Sequence, residues 1–201
     1  MDKKNSKQIT KPKILELAEK IPDPRRNHLK RYPLPSMIFI ALVGTVCGAN
    51  DWVAVADTGE YLKEWIKKYI DLPYGIPSHD TFGRTFGIID NKSFSQFLID
   101  WGECIRVKSK NEIVAMDGKT LKGNAQKEAG LKGIHLLNAW SIDNGICLGH
   151  LNVDKKTNEI TVIPDLIEIL DLEGCIITSD ALNTQKTTVE AVIKAKADYV
   201  L

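Results

Sequence analysis

The hydrophobic period of this 201-residue chain changes once, near residue 107, and that change constrains the fold more than any other feature. Before it, apolar residues recur at helical spacing between Pro and Gly breaks. After it, the apolar runs are short and β-rich. Lys13 to Glu19 reads as a helix following Pro12, stopped by Ile21-Pro22-Asp23-Pro24. Met37 to Cys47 is apolar on every side, as a buried central helix must be. Asp51 suits the N-cap of a helix carrying Val55, Leu62, Trp65, Ile66 and Tyr69, and Ser78 the cap of one running to Ile88. Asp90-Asn91 leads into a fifth helix with Phe94, Phe97, Leu98, Trp101 and Ile105 on one face. Residues 1–107 are therefore expected to form an all-helical unit.

Residues 108–201 predict the order β-β-β-α-β-α-β. Ile113 to Met116 is a short strand closed by Asp117-Gly118, a turn dipeptide. Ile134 to Ile142 and Ile146 to Val153 form a hairpin through Asp143-Asn144-Gly145. A helix from Ile160 to Leu170, a strand from Gly174 to Asp180, a helix from Thr184 to Lys196 and a strand starting at Asp198 follow. Strands that alternate with helices favour parallel pairing, whereas the hairpin is antiparallel, so the expectation is an α/β unit with a mixed sheet.

Hydrophobic residues at 43% with 26% charged give ordinary globular composition and exclude a disordered, collagen-like or disulfide-scaffold chain. Cys47, Cys104, Cys147 and Cys175 form no C-x-x-C pair, so no zinc spacing is present. The first 20 residues hold no apolar signal core, which points to the reducing cytoplasm. Leu34 to Ala49 is shorter than the ~20 residues of a membrane span. Ten of the 27 Lys and Arg fall within residues 1–31 against four of the 26 acids, a local charge of +6 in a chain of net +1. Such asymmetry suits a polyanion, and Arg25, Arg26, His28, Lys30 and Arg31 are its densest cluster.

Two carboxylates carry the chemistry. Asp117 and Asp180 each close an apolar strand, and ligands of an open α/β sheet gather at the carboxyl ends of its strands. If the two strands pair in parallel, the carboxylates share a crevice and could hold a cation. Oxygen ligation favours Mg²⁺ or Mn²⁺, ions suited to phosphoryl transfer. The bland alternative is that each Asp accepts backbone N–H bonds in the turn after its strand. Lys119 and Lys122 beside the first carboxylate could contact phosphates or simply be solvated. Gly118-Lys119-Thr120 is no P-loop, since Ile113 stands where that motif needs glycine. A metal-dependent phosphatase of the haloacid-dehalogenase type would need a nucleophilic Asp where Ala115 stands. His135 and His150 have no nucleophile elbow beside them.

Several stretches, in order, resemble one family. Ile21-Pro22-Asp23-Pro24-Arg25-Arg26, Cys47-Gly48-Ala49 before Trp52, and Gly75-Ile76-Pro77-Ser78-His79-Asp80-Thr81-Phe82 are similar to the N-terminal associated domain of H-repeat-associated insertion-sequence transposases. Met116-Asp117-Gly118-Lys119-Thr120-Leu121-Lys122-Gly123, Asn158-Glu159-Ile160-Thr161 with Ile163-Pro164, and Gly174-Cys175 through Asp180-Ala181 resemble that group's catalytic domain. The resemblance implies a ribonuclease H-like domain with a DDE triad whose first two members match Asp117 and Asp180. It implies Mg²⁺ or Mn²⁺ held by those carboxylates for attack on a phosphodiester, and DNA as partner, both transposon ends and target. Arg25, Arg26, Lys30, Arg31, Lys119 and Lys122 would contact that DNA. A homo-oligomer stays open. The triad's Glu belongs on a helix after the fifth strand, within which this sequence stops, so a truncated chain, inactive alone, is expected. Glu159 is better read as a helix-start residue. The alternatives are a non-catalytic DNA-binding remnant competing with an intact transposase, and the phosphatase-like metal enzyme.

Overall fold

The computed structural model of the protein describes residues 11–121, 134–153, 159–180 and 185–200. The chain divides into two compact units between Phe97 and Leu98, whereas the sequence placed the change at 107. The difference comes from one helix, Asn91–Ile105, which runs unbroken through the division. Its later residues belong to the sheet-bearing unit, where Ile99 joins the core and Gly102 lies against β-strand backbone.

The first unit holds α1 (Lys13–Ala18), a 3-10 turn (Asn27–Leu29), α2 (Leu34–Val46), α3 (Trp52–Tyr61), α4 (Lys63–Ile66), α5 (His79–Phe86) and the start of α6 (Asn91–Ile105). α2 is the central helix, with Met37, Ile38 and Ile40 all buried. Its Pro35 sits in the first turn, where the missing N–H is harmless. α3 crosses it closely at Gly44, since a Cβ there would lie 3.2 Å from Val55 Cα. Asp51 caps α3 by accepting from the Ala54 N–H at 2.8 Å, and Ser78 caps α5. The single helix expected from Asp51 to Tyr69 is instead two, broken at Leu62. The break buries Ile66 and lets Trp65 stack on Phe39, contacts that outweigh the bonds lost at one helix joint.

The second unit is a five-stranded mixed sheet in the order β3-β2-β1-β4-β5: β1 (Ile113–Leu121), β2 (Ile134–Ser141), β3 (Ile146–Asn152), β4 (Ile176–Ser179) and β5 (Asp198–Val200). β1 pairs antiparallel with β2 and parallel with β4, and β4 pairs parallel with β5. The parallel steps are made by α7 (Glu159–Ile169) and α8 (Lys186–Lys194), so the observed order matches the sequence reading. Gly145 takes φ 65° in the hairpin turn, a conformation that favours glycine. Val114, Met116, Leu137, Ala139 and Ile177 are buried on one sheet face with Ile163, Leu166 and Ile167 of α7 and Val192 of α8. Gly149 of β3 permits this packing, because a Cβ there would lie 3.0 Å from Leu170 Cδ2 and 3.1 Å from Ile99 Cγ1.

Candidate functional site

Alternation along each strand separates the buried face of this sheet from an open one. On β1, Val114 and Met116 are buried, while Ile113, Asp117 and Lys119 are exposed. Asp117 therefore stands on the open face. It lies mid-strand rather than at a strand end, which corrects the sequence reading. β1 loses its β4 neighbour after Met116 but stays paired with β2 as far as Leu121, and Gly118 does not take up a positive φ, so Asp-Gly makes no turn here.

The parallel register supplies the partner. Ile113 pairs with Ile176, Ala115 with Thr178 and Met116 with Ser179, so the next positions are Asp117 on β1 and Asp180 just past β4. Ile177 is buried and Asp180 exposed, which puts Asp180 on the same face as Asp117. The two residues thus stand side by side on neighbouring strands about 4.8 Å apart. Asp117 makes no hydrogen bond or ion pair among the described residues. Among those residues no group of three or more His, Cys, Asp or Glu gathers in one place, so the pair is the whole carboxylate set there.

On the β2 side Asp117 pairs with Asn138, and Asn138 pairs with His150 of β3. The sequence reading did not single out Asn138, and it weighed His150 only as a hydrolase residue. Leu137 and Ala139 are buried, and Gly149 and Leu151 face the core, so Asn138 and His150 lie on the open face with the carboxylates. Both are half-buried, and burial lowers the His150 pKa, which leaves its imidazole neutral at pH 7.

The basic residues fall into distinct environments. Arg25 is buried and its donors are occupied: Nε and a terminal nitrogen each bond Asp23 at 2.9 Å, that nitrogen bonds the Tyr32 carbonyl at 2.8 Å, and the other reaches Met37 Sδ. Arg25 is therefore a structural residue and leaves the DNA-contact set, because its neighbours have already satisfied the fork a phosphate would need. Its hydrogen bonds hold the Asp23 carboxyl below the usual range against the opposing effect of partial burial. Arg26, Lys30 and Arg31 are exposed. Arg31 lies 4.7 Å over the Tyr74 ring and edges a cleft of about 830 Å³ that also presents Asp57, Glu60 and Arg84, so that cleft is not of one charge. Lys119 is exposed two residues beyond Asp117 on the same face. Lys122 lies outside the described residues. Glu159 opens α7, the helix-start position expected of it.

Residues 15–102 match the family described as DDE_Tnp_1-associated. The "Uncharacterized protein in dhlA 3'region" of Xanthobacter autotrophicus is 40% identical over 185 residues, 91% of this chain and 62% of its own length. The "H repeat-associated putative transposase YbfD" of Escherichia coli strain K12 is 32% identical over 188 residues, 94% of this chain and 74% of its own. The chain thus spans 62% to 74% of the length of these two relatives. A solved piggyBac transposase synaptic complex with hairpin DNA is similar at a TM-score of 0.42 and 14% identity, over 96% of this chain and 48% of that one.

Proposed function

The chain belongs to the H repeat-associated transposase family, and from that premise we propose that it binds DNA and contributes two carboxylates, Asp117 and Asp180, to divalent-cation-dependent phosphodiester chemistry in transposition. The observation that carries this reading is the register of β1 on β4, which brings residues 63 apart in sequence to adjacent positions on one open face. The same register supports reading the 98–201 unit as ribonuclease H-like, with its first and fourth strands neighbours and parallel.

The residues fit a hard cation. Both donors are carboxylates and they stand side by side, the oxygen ligation that Mg²⁺ and Mn²⁺ take. Asp117 and Asp180 would hold a Mg²⁺ or Mn²⁺ ion, which would supply Lewis acidity toward a phosphoryl oxygen. The side chains themselves present fixed negative charge at the end of the parallel β1–β4 pair, on a sheet face open to an extended substrate. Lys119 sits one same-face position along β1, where an ammonium attracts the phosphodiester that the carboxylates alone would repel. In this reading Arg26, Lys30 and Arg31 of the helical unit add sequence-independent phosphate contacts.

Binding of a short fluorescent duplex, followed by anisotropy across a salt series with and without Mn²⁺, tests the proposal. The wild-type chain should bind more tightly with Mn²⁺ present, and Asp117→Asn should remove that gain. The triple change Arg26→Ala, Lys30→Ala, Arg31→Ala should weaken binding to every duplex alike and flatten the log–log salt slope by about 3, one unit per lost phosphate contact. Arg25→Ala should lower the melting temperature and leave the slope unchanged. Duplex affinity that neither salt, Mn²⁺ nor these changes alter would overturn the reading.

A further inference from the structure

The open face of the sheet is not uniform along its strands. Ala115 has Trp140 of β2 on one side and Thr178 of β4 on the other, with Val200 of β5 beyond, a largely apolar row. The next same-face row is polar across four strands: His150, Asn138, Asp117 and Asp180. At about 4.8 Å per strand it spans about 14 Å. Half of it is the carboxylate pair; the other half is two uncharged side chains.

The side chains of Asn138 and His150 make no hydrogen bond among the described residues, and both residues are half-buried. Their polar atoms are not among the buried ones that lack a partner, so they are open to a ligand lying on this face. What such groups recognise follows from their chemistry. The Asn amide offers two N–H donors, and a neutral imidazole one. Neither adds charge, so neither competes with a cation for Asp117 and Asp180, as an Arg or Lys in the same row would. Uncharged donors in line with a carboxylate pair suit the non-bridging oxygens of a phosphodiester chain that must lie against those carboxylates.

We propose that Asn138 and His150 hold the nucleic-acid strand across the sheet, donating hydrogen bonds to its phosphates on the side of Asp117 away from Asp180. This rests on the reading of Asp117 and Asp180 as the phosphodiester site, and it adds β2 and β3 to that site as its strand-positioning wall.

The test uses the whole chain and a short fluorescent DNA duplex in Mn²⁺. Asn138→Ala and His150→Ala should each weaken binding about fivefold to tenfold, the loss of one neutral hydrogen bond, with the salt slope unchanged because no charge is removed. His150→Gln, which keeps an uncharged donor, should retain most of the wild-type affinity. Mn²⁺ binding by the protein alone, read by calorimetry, should be the same in all three variants as in wild type. If wild type binds Mn²⁺ and loses it in Asp117→Asn, yet Asn138→Ala and His150→Ala bind DNA as wild type does, the strand-holding role is wrong and the carboxylate site stands. If wild type binds no Mn²⁺, the carboxylate reading fails and this inference with it. Weaker binding by His150→Gln equal to that of His150→Ala would also overturn the donor role.

Discussion

Replacing Glu112 with Ala should cost the sheet-bearing unit about 3–5 kcal/mol, the usual penalty for stranding one partner of a buried ion pair. Glu112 is fully buried at the foot of β1. It accepts from Arg106 at 2.9 Å and 3.0 Å, from the Ser141 hydroxyl at 2.5 Å and from the Asn144 amide at 3.0 Å. Arg106 in turn bonds Glu103 at 2.8 Å, the Asp171 carbonyl at 2.7 Å and Cys175 Sγ at 3.1 Å. One cluster thus ties the end of α6, the start of β1, the β2–β3 turn and the approach to β4. Removing the carboxylate leaves the buried Arg106 guanidinium with only the partly exposed Glu103 as counter-charge, against a total stability of about 5–15 kcal/mol for a domain. Urea unfolding followed by circular dichroism measures the loss, and a loss below about 1 kcal/mol would show that the cluster does not hold the strands.

The same cluster sets an acid limit. Burial pushes the Glu112 pKa up, but the hydrogen bonds and charge of Arg106, with Ser141 and Asn144, outweigh it and hold the carboxyl below its usual value. A carboxyl depressed in the fold contributes stability above its unfolded pKa of about 4.3 and loses it as pH falls through the folded value. Asp171, held down by the Lys108 hydrogen bond, acts in the same direction. The melting temperature should therefore be flat above about pH 5 and fall below it, less steeply in Glu112→Gln.

The order of strands and helices along the second unit was legible because β-rich runs alternate with helices there, whereas the parallel pairing of β1 with β4 was only a condition of the sequence reading. The caps at Asp51 and Ser78 were legible too, since short polar side chains before apolar runs have a single economical use. The extent of β1 was not. Asp117-Gly118 carries a turn signal, and only the eight-pair ladder with β2 overrides it. Nor could the turn at Gly145 have shown Asn138 opposite His150. Counting outward from the Ser141–Ile146 pair puts Gly149 there, and the bulge between Ala139 and Trp140 moves the partner by one residue. Arg25 misled for a different reason: charge density along the sequence does not reveal that Asp23 and the Tyr32 carbonyl fold back onto one guanidinium.

Asp117→Asn and Asp180→Asn should each weaken Mn²⁺ binding at least about tenfold, because a two-carboxylate site that loses one anion keeps only half its charge. The most direct measurement is cleavage of the protein's own backbone by Fe²⁺ with ascorbate and peroxide, which cuts the chain beside a bound ion. The account predicts cuts at two places together, in β1 around Asp117 and after β4 around Asp180, suppressed by Mg²⁺ and absent from both Asn variants. Cuts near only one of the two residues, or cuts that survive in either variant, would contradict it.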